Sequence, residues 1–185
     1  GISKQMFDMW VIENKLNNKF VGLKYFNVFG PNENHKGDMR SMVNKAFTQI
    51  NETGKLKLFK SLKPEYKDGE QMRDFIYVKD AVEMTLFFDP FNEEGKNASG
   101  IYNIGCGKEA TWLDAANAVF KALGKEPKIE FIDMPDSIKE QYQYYSKANI
   151  DKLRNAGYEN KIMELDDSIE DYVKNYLVIG KYLIV

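Results

Sequence analysis

Short apolar strand segments alternate with helix-patterned segments along this whole chain. That order reads as an α/β fold in which at least part of the sheet is parallel. Phe20-Val21-Gly22-Leu23-Lys24-Tyr25-Phe26 is a mostly buried strand, stopped at Asn27-Val28-Phe29-Gly30-Pro31 by glycine and proline. Further strands are expected at 55–59, 74–78, 100–105 and 128–132. Helices are expected over 3–17, 39–51, 79–88, 111–123 and 165–176, and another after a cap at Ser146. In the first helix, Phe7, Trp10 and Val11 form an i, i+3, i+4 stripe, which reads as its packing face or a contact with a partner subunit. Gly54 and Gly124 read as stops, and Thr111 as an N-cap.

The 185 residues suffice for one domain with a sizeable core, or one and a half small ones. A net charge of −2 argues against a nucleic-acid surface. The single cysteine, Cys106, forms no intramolecular disulfide and points to a reducing compartment; with no base partner in view it reads as structural. One histidine excludes a multi-histidine metal site, and no spacing of acids suggests a metal cage. The apolar run over 176–185 is broken by Lys181 and is too short to span a bilayer. A terminal strand, a partner contact or an added remnant would each fit it. The chain lacks Gly-x-Gly-x-x-Gly, so the phosphate-binding turn of a dinucleotide fold is not in it; Gly105-Cys106-Gly107 is the nearest fragment.

Four segments carry the functional reading: Ser3-Lys4, Tyr25-Phe26-Asn27-Val28-Phe29-Gly30-Pro31, Arg73-Asp74-Phe75-Ile76-Tyr77-Val78-Lys79-Asp80 and Tyr102-Asn103-Ile104-Gly105. In this order and spacing they resemble the C-terminal half of the extended short-chain dehydrogenases/reductases that act on nucleotide sugars. Asn34-His35-Lys36-Gly37, directly after Gly30-Pro31, resembles the ADP-glyceromanno-heptose 6-epimerase family within that group. So do Tyr142-Gln143, Ala148, Leu153-Arg154 and Ala156-Gly157-Tyr158. The resemblance runs to about residue 176. It implies the last part of a Rossmann-type, doubly wound cofactor domain over 1–30. A small α/β substrate-binding subdomain would follow over 31–176, with 74–105 partly returning to the Rossmann sheet, and 177–185 would be a tail of unknown role.

The resemblance also implies roles. Gly1-Ile2-Ser3-Lys4 would be the end of a Tyr-x-x-x-Lys motif whose tyrosine precedes Gly1, so the chain would be cut just after its main acid/base and inactive alone. Lys4 would tune that tyrosine and hold the nicotinamide ribose. Lys36 would be a second catalytic acid/base at the cofactor, and Val28 would line the nicotinamide. Asn27, Asp38, Lys45, Phe59, Lys60, Ser61, Arg73 and Tyr142 would contact substrate. Asp38 and Lys45 depart from the serine and histidine usual there, and the loop from Phe59 to Arg73 is longer than usual. Arg73 suits a diphosphate because its guanidinium offers a rigid fork. The plainer readings stand beside these: an exposed loop lysine for Lys36, strand packing for Val28, an ion pair with Asp74 or Asp80 for Arg73, a core or interface tyrosine for Tyr142. Asn103 is expected to serve backbone bonding at a strand end, and His35 to be exposed.

The implied reaction inverts C6 of an ADP-activated heptose through a bound NADP, with NAD as the alternative. The protein would be cytoplasmic, a homo-oligomer, and without nucleic-acid or membrane partners. Another extended reductase (a UDP-hexose 4-epimerase or dTDP-sugar dehydratase) and a non-catalytic nucleotide-sugar binding module are the other readings.

Overall fold

The structure, a computed structural model, describes residues 2–95 and 97–183. Gly1 of the Ser-Lys motif, Lys96, and Ile184 and Val185 of the tail lie outside the described residues. Among the described residues three of the four strand pairings are parallel. β1 (Val21–Tyr25) pairs with β6 (Gly100–Ile104), β2 (Asn27–Phe29) with β5 (Phe75–Tyr77), and β3 (Leu56–Phe59) with β8 (Ile129–Ile132). β4 (Met72–Arg73) and β7 (Ala110–Thr111) run antiparallel. Parallel pairing demands crossover connections, and α2 (Met42–Thr53), α3 (Val78–Phe87) and α4 (Trp112–Ala122) lie in them; α1 (Ile2–Glu13) precedes the strands, and α5 (Asp136–Lys139), α6 (Asp151–Asn155) and α7 (Leu165–Tyr172) follow them. A π turn over Val173–Leu177 continues α7.

The helix ends follow local chemistry. Ser41 Oγ accepts from Asn44 N to cap α2, and Gly54 closes it at φ 72°. Thr111 and Asp114 form a reciprocal capping box at the head of α4. Two cores result. One lies between α2, α4, α7 and strands β2, β3 and β5, with Val43, Ile50, Phe120 and Ile169 fully buried. The other joins Ile76, Met84, Ile104, Leu153 and Tyr158 between β5, β6, α3 and α6.

The strand 21–29 changes partner in its middle. Phe26 N donates to Ile104 O at 2.9 Å, whereas Asn27 N donates to Asp74 O at 3.1 Å. Asp74 therefore lies at the fork between the two ladders. Its carboxylate is fully buried and accepts from Cys106 N (2.8 Å), Gly107 N (2.9 Å) and Ala148 N (3.0 Å). Gly105 completes the joint, because a Cβ there would lie 2.5 Å from Ala148 Cβ.

The structure bears on two expectations and overturns one. No residue of α1 is buried, and Phe7 and Trp10 are both more than half exposed; with Val11 they border an open groove beside Leu16, Phe20 and Ile101 rather than filling a core. Ser146 caps no helix. Its N–H donates to Met72 O while Met72 N donates to Tyr144 O, so 144–146 is extended beside β4, and α6 starts only at Asp151.

Asp80, in the first turn of α3, is buried, and burial raises its pKa, with Met163 N–H opposing and Glu83 adding to the rise. A raised native pKa contributes stability below the ordinary carboxylate range that is lost as pH rises. Asp80→Asn keeps an acceptor for Met163 N and removes the buried charge. It is expected to stabilise the fold by about 1 kcal/mol at pH 7. Urea unfolding at pH 7 and pH 4 checks this: the gain should shrink at the lower pH.

Candidate functional site

A cleft of about 430 Å³ opens where α2 faces β3. Met42, Ala46, Leu56 and Leu58 give it an apolar floor. Alternation along β3 turns Leu56 and Leu58 inward and leaves Lys57 exposed at the rim. Phe59, Trp112 and Tyr142 form aromatic walls, and Arg40, Lys45 and Lys57 bring three cations without a carboxylate among the lining residues. The Tyr142 ring meets Phe59 edge-on, with centroids 6.2 Å apart.

Arg73 stands against this wall. Its guanidinium carbon lies 5.5 Å from the ring centroids of both Trp112 and Tyr142. Nη1 donates to Met72 O at 2.8 Å and Nη2 donates to Gln143 O. Only 6% of Arg73 is exposed. Among the described residues no carboxylate forms an ion pair with it, so neither Asp74 nor Asp80 is its partner. Burial lowers its pKa, with the Tyr142 phenol opposing, and burial raises that of Tyr142 against the pull of Arg73. The guanidinium stays charged. A buried cation without a counter-ion is costly unless an anion arrives. Flat apolar rings, three rim cations and this guanidinium suit a ligand that combines a planar base with phosphate.

The structure brings Lys45, Phe59 and Tyr142 together around the cleft, with Arg73 behind the wall. It does not bring the others there. Lys4 is exposed on α1, and Lys36 and Asp38 are exposed in a 3-10 turn over Asn34–Met39 that Gly37 kinks at φ 54°. Lys36 thus lacks, among the described residues, the burial that an amine acting as a base requires. Asn27 Nδ2 is committed to Asp74 O at 3.0 Å, and Val28 packs against the second core. Lys60 pairs with Asp133 at 3.0 Å. Ser61 is held within its own loop, its N–H donating to Asp68 Oδ1 and its hydroxyl to Lys63 O.

The plain readings of three other residues hold. His35 is exposed, Asn103 Nδ2 donates to Asn149 O at 3.0 Å, and burial pushes the Cys106 thiol up to about 12. Arg40 and Trp112 were not foreseen as cleft residues. Trp112 follows the Thr111 cap, which was visible while its neighbour's direction was not; Arg40 precedes the Ser41 cap, which the expected helix over 39–51 had run past. Among the described residues no cluster could hold a metal ion, and no helix is long and apolar enough to cross a membrane.

Comparison with known proteins agrees with this architecture. Over 177 residues the chain is 47% identical to the ADP-L-glycero-D-manno-heptose-6-epimerase of Nitratidesulfovibrio vulgaris strain DP4, covering 96% of this chain and 54% of the relative. The protein of that name from Fusobacterium nucleatum is 45% identical over 184 residues with the same coverage. The chain thus spans about half the length of the curated relatives it matches. The crystal structure of the Helicobacter pylori protein of that name superposes with a TM-score of 0.73 at 28% identity, over 95% of this chain and 50% of that one. The model of the NAD dependent epimerase/dehydratase family matches residues 1–105, more than half of the sequence, and the chain belongs to that family.

Proposed function

We propose that this chain supplies the sugar-nucleotide half of a cytoplasmic epimerase that inverts C6 of the heptose in ADP-glycero-manno-heptose. The observation that carries this is the acid-free, aromatic-walled cleft with the buried, unpaired Arg73 at its side. The names of the relatives support the choice of substrate. Arg73, Lys45 and the rim cations would take the diphosphate, and Phe59, Trp112 and Tyr142 the planar and apolar parts of the ligand.

C6 carries no acidic proton, so a nicotinamide would supply the chemistry by accepting a hydride and returning it to the other face. The residues present fit only the nicotinamide end of such a cofactor. Lys4 is exposed and its amine would take the ribose, and the sequence holds no Gly-x-Gly-x-x-Gly turn for the dinucleotide phosphates. Lys36 would move the hydroxyl proton for one epimer, and a tyrosine ahead of Gly1 for the other, because the two epimers present that proton in different geometries. On this reading the cofactor is NADP, residues 1–30 belong to its domain and 31–176 mainly to the substrate subdomain. The chain alone is then inactive, and the exposed stripe of α1 meets a second subunit.

Calorimetry tests the reading on this chain. ADP-heptose should bind, and Arg73→Ala should weaken it by about tenfold or more. Arg73→Lys, which keeps the charge without the fork, should fall between. Equal binding of a UDP-hexose, or no effect at Arg73, would overturn the assignment.

A further inference from the structure

The segment after the π turn comes back onto the turn that carries Lys36. Asn32 has a left-handed backbone (φ 70°), and both ends of its side-chain amide are used. Nδ2 donates to Leu183 O at 2.9 Å and Oδ1 accepts from Leu183 N at 2.9 Å. This is a strand-like two-point bond made by a side chain to backbone far away in sequence. The next residue ties the same loop inward: buried Glu33 accepts from Ser41 N, Ser41 Oγ and Tyr172 OH. Asn34 Oδ1 accepts from Asn44 Nδ2 at 2.8 Å. At the far end, Arg40 Nε donates to Gly37 O at 2.8 Å. A cavity of about 200 Å³ lies between this loop and Tyr176, Gly180 and Lys181.

The crown of the turn has no such ties. Among the described residues the side chains of His35, Lys36 and Asp38 make no hydrogen bond. The aim of the Lys36 amine therefore depends on how firmly the two feet of the turn are held. Glu33 and Asn44 hold one foot from inside; Asn32 holds it from outside. Asparagine suits the post because it tolerates the left-handed backbone and carries a donor and an acceptor together.

We propose that residues 178–183 act as a strap over the Lys36 turn and that Asn32 is a positioning residue that works through it. The claim rests on the reading of Lys36 as an acid/base. Asn32→Gly keeps the left-handed backbone and removes both bonds. Asn32→Asp keeps the acceptor for Leu183 N and loses the donor. Hydrogen exchange on this chain should show the Leu183 amide and segment 32–40 exchanging about tenfold faster in Asn32→Gly, with a smaller effect in Asn32→Asp. In the full-length protein, kcat for ADP-heptose should fall about tenfold or more in Asn32→Gly, with KM kept and partial rescue by Asn32→Asp. Unchanged exchange overturns the strap. Faster exchange with unchanged kcat overturns the positioning role. If the unmodified protein does not turn over ADP-heptose, the functional reading fails and takes the positioning role with it, while exchange still decides the strap.

Discussion

Asp74→Ala is expected to cost about 4 kcal/mol or more, enough to unfold much of the population of a domain of ordinary stability. The carboxylate is fully buried and accepts from three backbone N–H groups, at Cys106, Gly107 and Ala148. Alanine leaves all three donors without this acceptor, the Ala148 N–H among them buried. Asp74→Asn should cost about half as much, because one oxygen can still serve the Gly107 and Ala148 donors. The measurement is the urea midpoint of each variant at pH 7. If Asp74→Ala gives too little folded protein, Asp74→Asn alone answers the question. A loss under about 1 kcal/mol in both would mean that the carboxylate does not hold the fork together.

Lys36→Met in the full-length protein is expected to lower kcat for epimerisation about a hundredfold or more while cofactor stays bound, the scale of losing a general acid/base. Methionine retains most of the side-chain length and removes only the amine. Lys36 is exposed in this chain, so on the proposed reading bound substrate would have to cover its amine. The pH profile therefore distinguishes roles. Loss of one limb of the kcat profile in Lys36→Met marks a proton-transfer group. A uniform fall at every pH marks a packing effect, and unchanged turnover removes Lys36 from the mechanism.

Much of this fold was legible in the sequence because its punctuation is local. Gly54 closes α2, and Thr111 with Gly124 brackets α4, by capping chemistry that needs no tertiary context. The alternation of Leu56, Lys57 and Leu58 gave β3 for the same reason. Ser146 misled because backbone pairing with Met72 competes for that segment, and pairing across such a distance leaves no local trace. The stripe of Phe7, Trp10 and Val11 has helical spacing, yet spacing says nothing about what covers it. In the cleft, Lys45, Phe59 and Tyr142 came from resemblance. Arg40 and Trp112 were missed because their directions are fixed by α2 and α4 packing together. Asp74 read as part of a motif; its grip on Cys106, Gly107 and Ala148 becomes visible only once the chain has folded.

The parallel ladders set a schedule for the growing polypeptide on the ribosome. Val21 cannot pair until Gly100 has left the exit tunnel, and Leu56 must wait for Ile129. Early apolar strands are thus born without partners and stay open to other chains meanwhile. A chaperone bound to the nascent segment should raise the folded yield more for this chain than for one built from hairpins.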